Sequence, residues 1–122
     1  MSFNSYRNLE VWKKAMELVV ECYKTTKKFP KNETFGLSSQ IQRASVSIPT
    51  NIAEGRERHY PREFLQYLSI AYGSLAELET LTEIGYRLNY IDKDQLNQLF
   101  SRTTEIGKMI NGLKQSLKKS GS

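Results

Sequence analysis

The chain has one cysteine, one histidine and three prolines in 122 residues, and each scarcity removes a class of protein. A lone cysteine excludes an internal disulfide framework, and Cys22 with His59 falls short of the roughly four ligands that a zinc site needs. Cys22 stands among apolar neighbours, where a thiol behaves as a small hydrophobe, and His59 lies in a polar turn without a Ser or Cys motif beside it. No apolar run is long enough to cross a bilayer, and the N-terminus lacks the basic start and apolar centre of a signal peptide. The expectation is a soluble, cytoplasmic protein with no membrane partner. Nucleophile with base, metal-ligand set and phosphate loop are all missing, so neither an enzyme, a cofactor nor a small-molecule substrate is expected.

What is present is an ordinary globular composition, 39% hydrophobic and 25% charged, with a formal net charge of +5. The length suits one domain, residues 1–122, able to bury a core without covalent staples. A basic balance permits contact with phosphates or acidic surfaces.

Breaks at Pro30–Glu33, Glu57–Pro61 and Asn89–Asp92 divide the chain into four helical segments, about 8–29, 33–57, 61–88 and 92–118. The first has Asn8 as its expected N-cap and an inward stripe of Leu9, Trp12, Met16, Val19 and Tyr23. The second repeats Leu37, Ile41, Ala44, Ile48 and Ile52 through Pro49. That proline offers no N–H to the Ser45 carbonyl, so a kink is expected there, with the Ser45 or Ser47 hydroxyl assisting. Pro61 fits the first turn of the third segment, whose stripe is Phe64, Leu68, Ala71, Leu75, Leu78 and Thr82. Asp92 with Gln95 resembles a capping box, and Leu96, Leu99, Thr103, Ile106, Ile110, Leu113 and Leu117 follow. The tail beyond Lys118 is expected to fray. Four long helices on short links predict an all-α, antiparallel up-and-down four-helix bundle.

Two helices carry more apolar surface than such a bundle uses. The third has a second stripe of Tyr67, Ile70, Leu81, Ile84 and Leu88, and the first has Val11, Ala15, Leu18, Cys22 and Phe29. Helices one and three sit diagonally in an up-and-down bundle, so these stripes are expected to face different partners, the alternative being that broad burial or a tilted packing hides both within one chain. Val11, Leu18, Ile70, Leu81, Ile84 and Leu88 then form a head-to-tail interface, and a closed head-to-tail contact is a ring.

The second helix aligns Gln40, Arg43, Ser47, Asn51, Glu54 and Arg58 beside its apolar face. This polar seam reads as a network or subunit contact in which Arg43, Glu54 and Arg58 pair with each other or with Glu77. Glu54 and Glu77 also qualify as a pair of carboxylates, although the chain lacks the Glu-x-x-His motifs of bundle di-metal sites. The turn Arg56, Arg58, His59, Tyr60 and Arg62 offers cations and a ring for phosphates and a base, with Lys114, Lys118 and Lys119 as a second basic patch. A solvated helix end explains both patches equally well.

The run FGLSSQIQRASVSIPTNIAEG at 35–55, then Arg58, Glu63, Phe64 and IAYGSLAELET at 70–80, resembles the 23S rRNA intervening sequence protein family, also called the four-helix bundle protein family. The opening YRNLEVWKKAMELV at 6–19 is similar to that family's first helix. The matching positions are Gln40, Arg43, Pro49, Asn51, Glu54, Gly55, Arg58, Glu63, Phe64, Gly73, Ser74 and Glu77, and no catalytic role travels with them. Gln42 stands where an arginine is common, and Tyr60-Pro61 where a Ser cap is common. The resemblance implies a homopentamer. The family takes its name from genes lying in intervening sequences of bacterial 23S rRNA, and some members carry a ribosomal-protein label. A more distant relative, the accessory protein of diversity-generating retroelements, is a similar pentameric barrel whose basic surface engages a reverse transcriptase and RNA.

The function expected is therefore a non-enzymatic homo-oligomer that contacts RNA or an RNA-associated protein through Arg43, Arg56, Arg58, Arg62, Lys114 and Lys118. The competing expectation is a protein-interaction scaffold that binds no nucleic acid.

Overall fold

The computed structural model describes residues 5–121. A single 3-10 turn, Tyr6–Asn8, leads into helices α1 (Glu10–Thr26), α2 (Leu37–Arg56), α3 (Pro61–Arg87) and α4 (Lys93–Gly121), with a second 3-10 turn at Lys31–Glu33. The architecture is all-α.

The pairings between helices fix their order and sense. Each helix touches the next in sequence, and α4 returns to α1. Ser47 meets Ser74, and just past the end of α2 Arg58 meets Tyr67, so numbers rise along α2 as they fall along α3. Likewise Gln95 meets Thr25 while Lys14 faces Glu105, which sets α4 against α1 in the opposite sense. The ends of α2 and α4 therefore lie with the starts of α1 and α3.

The stops and starts follow local chemistry. Pro61 occupies the first turn of α3, where its missing N–H leaves no bond unmade. After α3, Asn89 adopts a left-handed conformation (φ 66°), and the amides of Asn89 and Tyr90 close back on the carbonyls of Tyr86 and Gly85. Asp92 Oδ1 accepts from the Gln95 amide at 2.8 Å. Only that half of the capping box forms, because the Gln95 side chain donates instead to Thr25 Oγ1. Asn8 is not the cap of α1. Leu9 holds that position without a side-chain bond, and the Ser5 hydroxyl caps the preceding 3-10 turn. The helix α4 runs on through Gly121, past the expected fraying point at Lys118.

One core draws on all four helices. The predicted inner stripes of α2 and α3 are buried, as are those of α4 up to Ile110, with Leu113 and Leu117 half-buried. Pro49 is buried within the unbroken helical stretch of α2.

Helix α1 is rotated by about a third of a turn from the sequence reading, so that Leu9, Trp12 and Val19 of the expected stripe are only partly buried. Val11, Ala15, Leu18 and Cys22 are buried, whereas Met16 and Tyr23 are exposed. Val11 and Leu18 are thus core residues rather than interface, and Leu81 is likewise buried. The small side chains of Ala15 and Cys22 let α1 approach its neighbours closely, with the bulkier Trp12 at the edge of that contact. Of the second stripe on α3, Ile70, Ile84 and Leu88 remain exposed at 50%, 41% and 49%.

Candidate nucleic-acid interface

The α2–α3 seam is tied by short polar contacts. Ser47 Oγ and Ser74 Oγ lie 2.8 Å apart, and Asn51 Nδ2 donates to the Ser47 carbonyl at 2.8 Å and to Ser47 Oγ at 3.0 Å. Ser74 also donates to the Ile70 carbonyl. Half-buried hydroxyls thus find partners where an apolar contact would leave them unmet. Ser74 is the member that periodicity alone did not place in this network. On the other flank of α2, Gln42 donates to Thr26 Oγ1, joining α2 to α1.

The expected ion pairs of the seam do not form. The side chains of Gln40, Arg43, Glu54 and Glu77 have no hydrogen-bond or ion-pair partner among the described residues. Arg58 instead pairs with Glu63 at 4.0 Å and donates to the Tyr67 hydroxyl, its guanidinium 5.0 Å from the ring centroid. The Ser47–Ser74 contact sets Arg43 level with Glu77 and leaves Glu54 about three turns away, level with Tyr67. Glu54 and Glu77 are therefore not a carboxylate pair.

The same register separates Arg43 from the other candidate cations and brings those others together. Arg56, Arg58 and Arg62 stand at the α2–α3 turn, and the last two turns of α4, with Lys114, Lys118 and Lys119, reach the same end. Lys114 Nζ lies 5.9 Å from the Tyr72 ring centroid, about two turns back from the end of α4 and about three turns into α3. Arg7 joins them from the opening 3-10 turn, stacked against Tyr6 and Trp12. Besides the mutually paired Glu10 and Lys13, this end thus holds seven Lys and Arg residues, with Glu54, Glu57 and Glu63 as the acids beside them. At the opposite end Lys24, Lys27, Lys28, Lys31, Arg87 and Lys93 face Glu21, Glu33, Glu83, Asp92 and Asp94, close to balance. The positive excess is concentrated at one end of the bundle, where it sets a stronger local potential than the same charge dispersed over the surface.

An open cleft of about 630 Å³ enters that end, lined by Tyr6, Ala53, Glu54, Glu57, Arg58, His59 and Glu63. Sequence reasoning missed it, because Tyr6 reaches the α2–α3 turn only through the fold. Tyr60 beside the cleft is 66% exposed.

Elsewhere the groups that chemistry might use are quenched. Burial pushes the Cys22 thiol up to about 12, with a hydrogen bond to Ser45 opposing. Tyr90 is raised because its hydroxyl donates to the Glu33 carboxylate at 3.0 Å. Among the described residues no three His, Cys, Asp or Glu side chains are grouped to hold a metal, and no helix is long and apolar enough to cross a membrane.

Fold and surface together define a four-helix protein whose distinguishing feature is a cationic end. Residues 7–112 match the 23S rRNA-intervening sequence protein family, and the chain belongs to it. Among solved structures it is similar to a protein of unknown function from the S23 ribosomal protein family of Bacteroides thetaiotaomicron VPI-5482. The two are 28% identical with a TM-score of 0.80, over 86% of this chain and 95% of that one. No curated protein matches.

Proposed function

We propose that this protein is a non-enzymatic, cytoplasmic homo-oligomer that binds RNA, or an RNA-associated protein, through the end of the bundle carrying the α2–α3 turn. The observation that carries the reading is the partition of charge: beyond the Glu10–Lys13 pair, seven Lys and Arg with three Glu at that end, near balance at the other. Phosphate contacts made by such a patch release counterions, so binding should fall steeply with salt. Arg56, Arg62, Lys118 and Lys119 are its foremost cations, since Arg58 is held by Glu63 and Tyr67.

Self-association is supported by the outer face of α3. Ile70, Ile84 and Leu88 are exposed there, and Gly73 between them has nothing within 4 Å of where a Cβ would stand. A bare glycine inside an exposed helix costs stability, and a neighbouring helix approaching closely gives it a use. The exposed Met16, Val20 and Tyr23 of α1 supply a second, different face, as a head-to-tail ring requires. The family resemblance makes five the expected number of copies.

Phe35, 97% exposed in the α1–α2 connection, favours the second reading, a scaffold that binds protein alone. Light scattering on chromatographed protein, with and without nuclease and with absorbance at 260 and 280 nm, separates the readings. A ring mass carrying RNA that high salt removes supports the proposal. A ring free of RNA favours the scaffold, and a monomer overturns the assembly.

A further inference from the structure

We propose that the cleft at the basic end seats one unpaired guanine base of a single-stranded RNA, an inference that rests on the RNA reading above. The cleft is flanked by cations, yet Glu54, Glu57 and Glu63 supply three carboxylates to its wall. Carboxylates repel phosphate, so a strand drawn in by Arg56 and Arg62 must present something other than its backbone to this wall. Ionised carboxylates only accept hydrogen bonds, so the occupant has to donate. The carboxylates of Glu54 and Glu57 have no partner among the described residues, and that of Glu63 has only the 4.0 Å pairing with Arg58.

Among the bases, guanine offers a ring N–H and an exocyclic amine side by side, two parallel donors that match the two oxygens of one carboxylate. Adenine and cytosine present a single amine on that edge, and uracil a single ring N–H. Pairing in a duplex would occupy the same edge, and RNA is read by sequence where its bases are unpaired and stacked on side-chain rings. Tyr6 and His59 bring such rings to the lining, and the cleft of about 630 Å³ falls in the size range of small-ligand sites.

The test is fluorescence anisotropy of the full-length chain with a labelled uridine dodecamer carrying one central guanosine, inosine or adenosine, alongside the uridine-only strand. Guanosine should tighten binding about tenfold over uridine alone, the scale of one bidentate base contact. Inosine, which keeps the ring N–H and loses the amine, should forfeit most of that gain. In a variant carrying E54Q and E57Q, whose fold is checked by thermal melting, the guanosine preference should vanish while uridine-only binding holds or tightens. Equal affinity for all four strands, or a preference that survives both substitutions, overturns the guanine site and leaves the RNA reading standing. Absence of binding to every strand overturns the RNA reading itself.

Discussion

Two glycines with opposite surroundings give a test in which the sign of the effect is worked from the structure. Gly55, near the end of α2, faces α3 so closely that an added Cβ would stand 2.6 Å from Tyr67 Cβ and 2.9 Å from Phe64 Cδ1. Alanine in a helix gains about 0.8–1 kcal/mol over glycine. Overpacking a filled contact costs typically about 1–3 kcal/mol, and the upper half of that range applies because Tyr67 Cβ is fixed to its backbone. The clash wins, so Gly55→Ala should destabilise by about 1–2 kcal/mol, and lower Tm by roughly 5 °C in a chain of this size. Gly73→Ala meets nothing within 4 Å, so only the helix gain remains. It should raise Tm by about 3 °C. If Gly73 lies where a second copy packs, the same substitution should also weaken assembly. Circular-dichroism melts at one fixed protein concentration read the folding effect, and light scattering reads the assembly. A Gly55→Ala variant that melts at or above the unsubstituted protein would refute the packing argument.

Other expectations follow from burial and titration. Leu18→Ala should cost about 2–5 kcal/mol in urea unfolding, as deletions in a packed core do, while Met16→Ala on the exposed side of α1 should cost under about 1 kcal/mol. The reverse order would restore the other face of α1 to the core. The folded Cys22 thiol titrates near 12 against an ordinary value of 9.0, so the folded state holds its proton more tightly. Its contribution is whole below pH 9 and is lost as pH climbs from 9.0 toward 12, and Cys22→Ala should flatten that decline. Tyr90, raised by its bond to Glu33, adds a loss of the same sign above its ordinary value of 10.0, which Tyr90→Phe removes.

Most of the fold was legible because three of the helices carry decisive signals. The stripes of α2 and α4 are narrow, and Pro61 and Asp92 mark starts that only helices use. Helix α1 was misread for a specific reason. At ideal helix spacing its charged residues Glu10, Lys13, Lys14, Glu17, Glu21 and Lys24 lie opposite the boundary between its two apolar stripes, so the charge pattern favours neither. Close packing decides between them, through Ala15 and Cys22, and packing is not written in periodicity.

The candidate site divides the same way. Arg56, Arg58 and Arg62 are neighbours in sequence, so their clustering was visible, whereas the arrival of Arg7 and Lys118 at the same end is a product of the antiparallel register. Arg43 shared a helical arc with Arg58 and was grouped with it, yet it lies about four turns away along α2, level with Glu77. Side-chain partners were the least legible feature. Arg58, just past the end of α2, finds Glu63 and Tyr67 across the turn instead of Glu54 one turn back.

The most direct test of the central claim is the affinity for a single-stranded uridine RNA measured across a series of salt concentrations, for the unsubstituted protein and for a variant carrying R56E and R62E. With three or four phosphates engaged, the logarithm of affinity should fall with the logarithm of salt at a slope of about −2 to −3. The double reversal should weaken binding at least tenfold and make the slope shallower. Binding that ignores salt, or that is unchanged by reversing both arginines, would contradict the assignment of this end as the RNA-binding surface.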